Sequence, residues 1–367
     1  MGLTNNQQTF LELVRAGLWE REVRLLQYEG VDYSEVYQLA DEQSVVGLLA
    51  AGIDHVSDVK LPQNEVLTIV GSTLQLEQRN EAMNQFVKKL FSRFKDEEIY
   101  AVLIKGQGVA QCYERPNWRA AGDIDLFLDK ENYEKTKRFL SKYGIADTED
   151  KERLHIGYSL EGWTVELHGT MHTGISNRIN VVVDEVQNDI FRNRGVRAWK
   201  VEENVCLPKP DNDVIIVYTH FLNHFYGEGI GLRQISDWCR LLWAYRQEID
   251  LKLLKERISR AGLMTEWKAF GTFAVEYLGM PAEAMPFYKK SAAMRKKAGR
   301  ICKLILKTGN FGVNKDESYR GTSTKMKSNV ITFWRRLCEF ARLATIFPVN
   351  APKFFVSYVT NRAKAVL

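Results

Sequence analysis

The chain has 367 residues, 45% of them hydrophobic and 26% charged, enough apolar length to bury a core without disulfides and too apolar a composition for a disordered protein. Its five cysteines are scattered with no CxxC pair, which excludes a zinc ribbon and a dithiol redox motif and fits reduced thiols. The net charge of +5 hides an asymmetry: residues 289–367 carry 18 Lys/Arg against 3 Asp/Glu, a net of +15, which leaves −10 on the rest.

In chain order, residues 1–95 read as a helical region. Phe10, Leu11, Leu13, Val14 and Leu18, and later Val66, Ile69, Val70 and Leu74, recur at three- and four-residue spacing. The start, MGLTNNQQTF, lacks the basic and long apolar stretches of a signal peptide. No stretch approaches the roughly 18 apolar residues of a membrane span.

The pattern changes at Ile99. IYAVLIKGQG reads as a buried strand ending in a glycine turn, and GVAQCYERP as a helix start that stops before Pro116. GDIDLFLD alternates as a strand, and KENYEKTKRFLSKYG is an amphipathic helix closed by Gly144. RLHIGYSLEGWTVELHGT reads as a hairpin turning at Glu161-Gly162. An α/β unit is therefore expected over 96–208. Helical periodicity returns over 209–306. Residues 307–329 are polar and rich in small residues and read as a linker or long loop. Residues 330–367 form a basic, aromatic tail in which Val330, Trp334, Leu337, Ala341 and Ala344 fall near one helical face. Such a helix docks on the protein's own core or meets an anionic membrane as a peripheral contact. Sequence-specific nucleic-acid binding is not expected, because no recognised binding motif is present.

The chemistry concentrates in Asp123-Ile124-Asp125. On a strand, residues two apart share a face, so both carboxylates project together while Ile124, Leu126 and Leu128 enter the core. Paired carboxylates repel unless a cation lies between them, and Mg²⁺ favours such oxygen ligands. Glu166 sits in a second alternating segment, Trp163–His168, with Glu166 and His168 on one face and Val165 and Leu167 on the other. On a neighbouring strand it would complete a three-acid clamp of the two-metal kind. Lys105-Gly106-Gln107-Gly108 ends the preceding strand, where backbone N–H groups could meet phosphate.

The histidines give a weaker signal. His168/His172 and His220/His224 are each four apart, but neither pair carries the glutamate of a zinc-hydrolase HExxH motif. His155 falls on the hairpin strand before Glu166. Arg233 and Asp237, four apart on a predicted helix, suit an ordinary ion pair or the wall of a site.

The order strand, glycine turn, helix, hDhDh strand and hEh strand resembles the polymerase-beta-like nucleotidyltransferase superfamily. It is closest to an uncharacterised bacterial nucleotidyltransferase family, through Ile104-Lys105-Gly106, Arg119, Asp123–Leu128, Val165–His168, His220/His224, Leu232-Arg233 and Asp237. The similarity covers roughly residues 10–280. It implies an α+β fold: a nucleotidyltransferase domain with a mixed sheet, flanked by N- and C-terminal helical regions. It further implies a Mg²⁺-dependent (or Mn²⁺-dependent) cytoplasmic enzyme that moves a nucleoside monophosphate from an NTP to a hydroxyl acceptor and releases pyrophosphate. By the resemblance, Asp123, Asp125 and Glu166 hold metal, and Glu166 also helps deprotonate the acceptor. Lys105, Gly106, Gln107, Gly108 and Arg119 meet the triphosphate, and His168, His220, His224, Arg233 and Asp237 stand at the cleft. The superfamily's Gly-Gly or Gly-Ser is Gly106-Gln107 here. The alternative reading is therefore a nucleotide- or partner-binding protein whose transferase domain is degenerate.

Overall fold

The computed structural model describes residues 2–314 and 325–364. Thr4 and Gln7 form a reciprocal capping box that starts α1 (Asn5–Trp19), and Asp32 accepts the first free N–H groups of α2 (Tyr33–Glu42). After α3 (Val46–Ile53), Pro62 precedes a 34-residue helix, α4 (Gln63–Asp96).

The α/β unit follows: β1 (Val102–Ile104), the short α5 (Gly106–Ala110), a 3-10 turn at Pro116–Trp118, β2 (Ile124–Phe127), α6 (Lys130–Leu140) and β3 (Ile145–Ala146). Next come β4 (His155–Leu160), β5 (Trp163–His168), α7 (Asn177–Arg192), β6 (Val196–Trp199) and β7 (Glu202–Pro208). The seven strands make one mixed sheet in the order β3-β4-β5-β2-β1-β7-β6. The β4–β5 hairpin turns at Glu161-Gly162, both with positive φ, which suits the twist of a two-residue hairpin. Helix α6 ends at Leu140 rather than at Gly144; the N–H groups of Tyr143 and Gly144 turn back to the Leu140 carbonyl.

The second helical stretch comprises α8 (Pro210–Tyr226), α9 (Leu232–Ala244), α10 (Leu251–Ala261), α11 (Met264–Glu276) and α12 (Ala292–Thr308). Two cores flank the sheet. Ile124, Leu126, Leu128, Val165 and Leu167 pack beneath α4 and α6. Val102, Ile104 and Phe127 look the other way, into a core shared by α1–α3 and α7–α12. Helices α1–α3 and the second helical stretch, far apart in sequence, thus close on one face of the sheet, while α4 covers the other.

Two further helices, α13 (Lys325–Ile346) and α14 (Asn350–Lys364), belong to the basic tail. Residues 315–324 of the expected linker lie outside the described residues. Helix α13 begins inside the rest of that stretch, at Lys325, where a polar composition gave no helical signal. The tail docks on the core through Phe340, Leu343, Phe347 and Phe354. Trp334 is exposed, and so is Ala341, so the buried face is rotated from the one the spacing suggested. The reason is tertiary: Phe347 meets Phe225 and Phe270, while Phe354 stacks on Tyr226. No helix among the described residues is long and apolar enough to cross a membrane.

Candidate active site

Strand β2 is central, with β1 antiparallel on one side and β5 parallel on the other. The register sets Asp125 directly opposite Glu166 on β5 and opposite Ile104 on β1. Asp123 stands just before β2 and points to the same side. One carboxylate oxygen each from Asp123, Asp125 and Glu166 lies within 4.8 Å of the others. They open into a cleft between the sheet edge and α8–α9, whose walls include Lys105, Gly106, Arg119, His220, His224, Arg233 and Asp237.

Three acids this close need positive partners. Lys105 Nζ lies 2.6 Å from Asp125 Oδ1, and His168 Nε2 lies 2.7 Å from the same oxygen. Burial alone would raise the pKa of Asp125, but Lys105 and His168 outweigh it and hold the carboxyl below its usual value. Glu166 is held well below the carboxylate range by hydrogen bonds from His155, with Nε2 at 3.2 Å, and then from His168 at 3.5 Å. Asp123 has less help, since the pull of Lys105 is outweighed. Repulsion from Asp125, then burial, pushes its carboxyl up. A divalent cation would remove that repulsion, so the donor set fits a hard metal ion. A second group, His155, Glu166 and His168, has ligand atoms equally close and shares Glu166 with the first.

The strand before the acids ends in strained backbone. Lys105 has φ 53° and ψ −142°, and Gly106 follows with φ 33°. That turn swings the lysine back over β2. Of the remaining turn residues, Gln107 is not brought to the cleft. It is buried toward α4, where its amide donates to Asn84 Oδ1 at 2.6 Å. Gly108 packs against β7, where a Cβ would lie 2.9 Å from Leu207 Cδ2.

Arg119 reaches the cleft wall but is already engaged. Its Nε and Nη2 each donate to Asp237 at 2.7 Å in a buried bidentate pair, and Tyr113 Oη donates to the same carboxylate at 2.8 Å. Burial opposes the charge on Arg119, but Asp237 outweighs it and raises the pKa. Arg233, on the same helix as Asp237, is left freer. Its Nη1 donates to the Ala120 carbonyl at 3.2 Å, while its buried Nε has no partner. Burial, then neighbouring Arg119, presses against its charge; an anion in the cleft would relieve that pressure.

His220 and His224 lie one turn apart on α8 with their ring nitrogens 3.2 Å apart, and Lys105 Nζ is 3.5 Å from His220. Burial, then Lys105, pushes His220 well below its usual pKa, so its imidazole is neutral. His172 is elsewhere, bonded to Asp184 at 2.6 Å.

Several residues escaped the sequence reading. Tyr113, which stands behind the cleft wall on Asp237, gave no signal, being one aromatic at the end of a helix start. Among the residues that line the cleft, Gln234 and Phe311 were missed. Phe311 fell in the expected linker, and its only local mark is an aromatic between Gly309 and Gly312.

A mixed sheet with an acidic pair at the start of its central strand, a third acid on the next strand and helices to either side is the architecture of a nucleotidyltransferase. Residues 29–279 match the family model described as uncharacterised nucleotidyltransferase, and the chain belongs to that family. No curated protein and no solved structure matches it.

Proposed function

We propose that the protein transfers a nucleoside monophosphate from an NTP to a hydroxyl-bearing acceptor and releases pyrophosphate. The observation that carries this reading is the convergence of Asp123, Asp125 and Glu166 within 4.8 Å, in a cleft also lined by Lys105, Arg119 and Arg233. These three side chains would hold Mg²⁺ or Mn²⁺. Bound there, the ions would polarise the phosphate oxygens and lower the charge repulsion between acceptor and donor.

The acceptor oxygen forms a bond to the α-phosphorus, and the bond from that phosphorus to the bridging oxygen of the β-phosphate breaks. Pyrophosphate carries off the electron pair. The acceptor's proton leaves to solvent. Glu166 accepts a hydrogen bond from the acceptor hydroxyl and assists its loss by orientation, not as a strong base, since His155 and His168 hold its carboxyl well below the usual range. Arg233 is the cation best placed for the triphosphate, because its Nε is unpartnered. Lys105 joins it once released from Asp125. Arg119 serves instead to fix Asp237 and α9 against the turn that precedes Asp123.

Incubation with each of the four NTPs, Mg²⁺ or Mn²⁺ and a cell extract as acceptor source should release pyrophosphate. Asp123→Asn should abolish release without unfolding the chain. Wild-type release from Asp123→Asn would refute the assignment. The second reading, binding without transfer, draws on Gln107, which puts an inward-facing amide where the superfamily has a small residue or a serine. NTP binding with no pyrophosphate release under any of these conditions would favour it.

The tail remains a candidate membrane contact. Phe333, Trp334 and Val356 are exposed beside Arg342 and Lys353, an apolar and basic mixture suited to an anionic surface. Such contact would make the protein a cytoplasmic enzyme with peripheral attachment, and co-sedimentation with anionic but not neutral vesicles tests it.

A further inference from the structure

We infer that Phe311 is the platform on which the nucleobase of the NTP stacks. The inference rests on the nucleotidyltransferase reading and adds to it the element that would hold the nucleoside. Phe311 lies beyond residues 29–279, the segment that matches the family. It nonetheless forms part of the same cleft wall as Asp123 and Arg233.

The backbone beneath it is built to present a side chain. Phe311 has φ 51° and ψ 23°, a left-handed conformation that costs a non-glycine residue energy. Something must hold it there, and Asn310 does. Asn310 is buried, accepts from Gln234 Nε2 at 2.7 Å and donates to Ser44 Oγ at 2.8 Å. Behind the turn, Gly229 leaves room for the backbone of Gly312; a Cβ there would sit 3.3 Å from its nitrogen. The anchored Asn310 and the strained Phe311 together aim the ring outward.

The ring is braced but not covered. His224 meets it nearly edge-on at 5.0 Å, and Arg233 lies 5.9 Å from its centroid. Phe311 is 46% exposed. A large aromatic with an open surface in a charged cleft has no packing role that its neighbours require. Its adjacency to Arg233 puts it within one nucleoside of the cation proposed for the phosphates. Every base offers a π-face, so stacking here would hold the nucleoside with little preference among bases.

The test is calorimetric binding of each NTP, and of inorganic tripolyphosphate as the base-free probe, to the full-length protein with Mg²⁺. Phe311→Ala should weaken NTP binding about tenfold, leave tripolyphosphate binding unchanged and weaken no NTP selectively. Phe311→Trp should restore NTP affinity. Unchanged NTP affinity in Phe311→Ala overturns the proposal, as does an equal loss for tripolyphosphate, which would mark a merely structural residue. Wild-type protein that binds tripolyphosphate as tightly as an NTP also overturns it, while leaving the phosphate site standing. Wild-type protein that binds neither probe overturns the transferase reading, and the platform with it.

Discussion

Lys105 Nζ sits 2.6 Å from Asp125 Oδ1, so the lysine occupies the side of the carboxylate from which a cation would approach. The strained turn at Lys105 and Gly106 makes this possible by folding the lysine back over the strand that follows. Lys105 offsets the burial that would otherwise raise the Asp125 carboxyl. A metal held there would compete with the lysine for that oxygen, and a triphosphate would supply the anion that draws the lysine away.

The competition can be measured. Lys105→Ala should tighten Mn²⁺ binding in the absence of nucleotide by about tenfold or more, since two unit charges near contact interact by several kcal/mol even at an effective dielectric near 20. The same variant should lose most pyrophosphate release. Titration followed by electron paramagnetic resonance reads the first effect. Weaker Mn²⁺ binding in Lys105→Ala would show that the lysine supports the metal site instead of competing with it.

Arg119 offers a contrast between positioning and phosphate contact. Its Nε and Nη2 are spent on Asp237, its Nη1 donates to the Ala120 carbonyl at 3.1 Å, and Tyr113 shares the Asp237 acceptor. Arg119→Ala should cost about 3–5 kcal/mol in urea unfolding, because it strands a buried carboxylate. Arg119→Met combined with Asp237→Leu should recover part of that loss. The recovery is incomplete because Tyr113 Oη then lacks its acceptor, a deficit of about 1–3 kcal/mol. A folded, fully stable Arg119→Ala that fails only in pyrophosphate release would return Arg119 to the triphosphate.

The acidic centre was legible because strand geometry is short-range. Alternation alone put Asp123 and Asp125 on one face and matched Glu166 with His168, and the parallel β2–β5 register then set Asp125 against Glu166. The Glu161-Gly162 turn was legible for the same reason. What the sequence could not show was pairing across long separations. Nothing local in Arg119 indicates that Asp237, 118 residues away, will take two of its donating nitrogens. Nothing in the Gly309–Gly312 stretch indicates that Asn310 will be gripped by Gln234 and Ser44. Helix α7 went unread although Val182, Val183, Val186 and Ile190 bury one face of it. In the tail, the aromatic partners on α8 and α11 decided which face was buried.

Close packing beneath the site gives a stability prediction with a functional tail. A Cβ on Gly47, in α3, would lie 1.9 Å from the carbonyl oxygen of Trp118, just before Arg119. Gly47→Ala must push the Pro116–Trp118 turn away from α3 and with it the Arg119–Asp237 pair. The expected loss is about 1–3 kcal/mol or more, with reduced pyrophosphate release from whatever remains folded. Gly71, exposed on α4 with open space for 4 Å around an added Cβ, is the control. Gly71→Ala should stabilise by about 0.5–1 kcal/mol through helix propensity and leave release unchanged. Equal behaviour of the two variants in thermal unfolding would contradict the packing argument.

Asp213, on α8, sets a pH dependence separate from the acidic cluster of the cleft. It is buried, with Arg197 Nη2 at 2.8 Å from one oxygen and no partner on the other. Burial therefore outweighs the arginine and pushes the carboxyl up to about 6, whereas an unfolded chain returns it to about 3.9. The native state then takes up this proton at higher pH than the unfolded state does. Protonation favours folding, so the contribution of Asp213 to stability grows as pH falls through 6 and is complete below about 4. The gap corresponds to roughly 2–3 kcal/mol. Other carboxylates with depressed values, such as Glu149 bonded to Lys137 and Tyr133, pull the opposite way, so the absolute stability of the wild type does not isolate the effect. The difference between wild type and Asp213→Asn does. Urea midpoints at pH 7.5 and pH 4.5 should show the wild type gaining on the variant by about 2 kcal/mol as pH falls. A difference that stays flat over that range would mean that Arg197 keeps Asp213 ionised throughout.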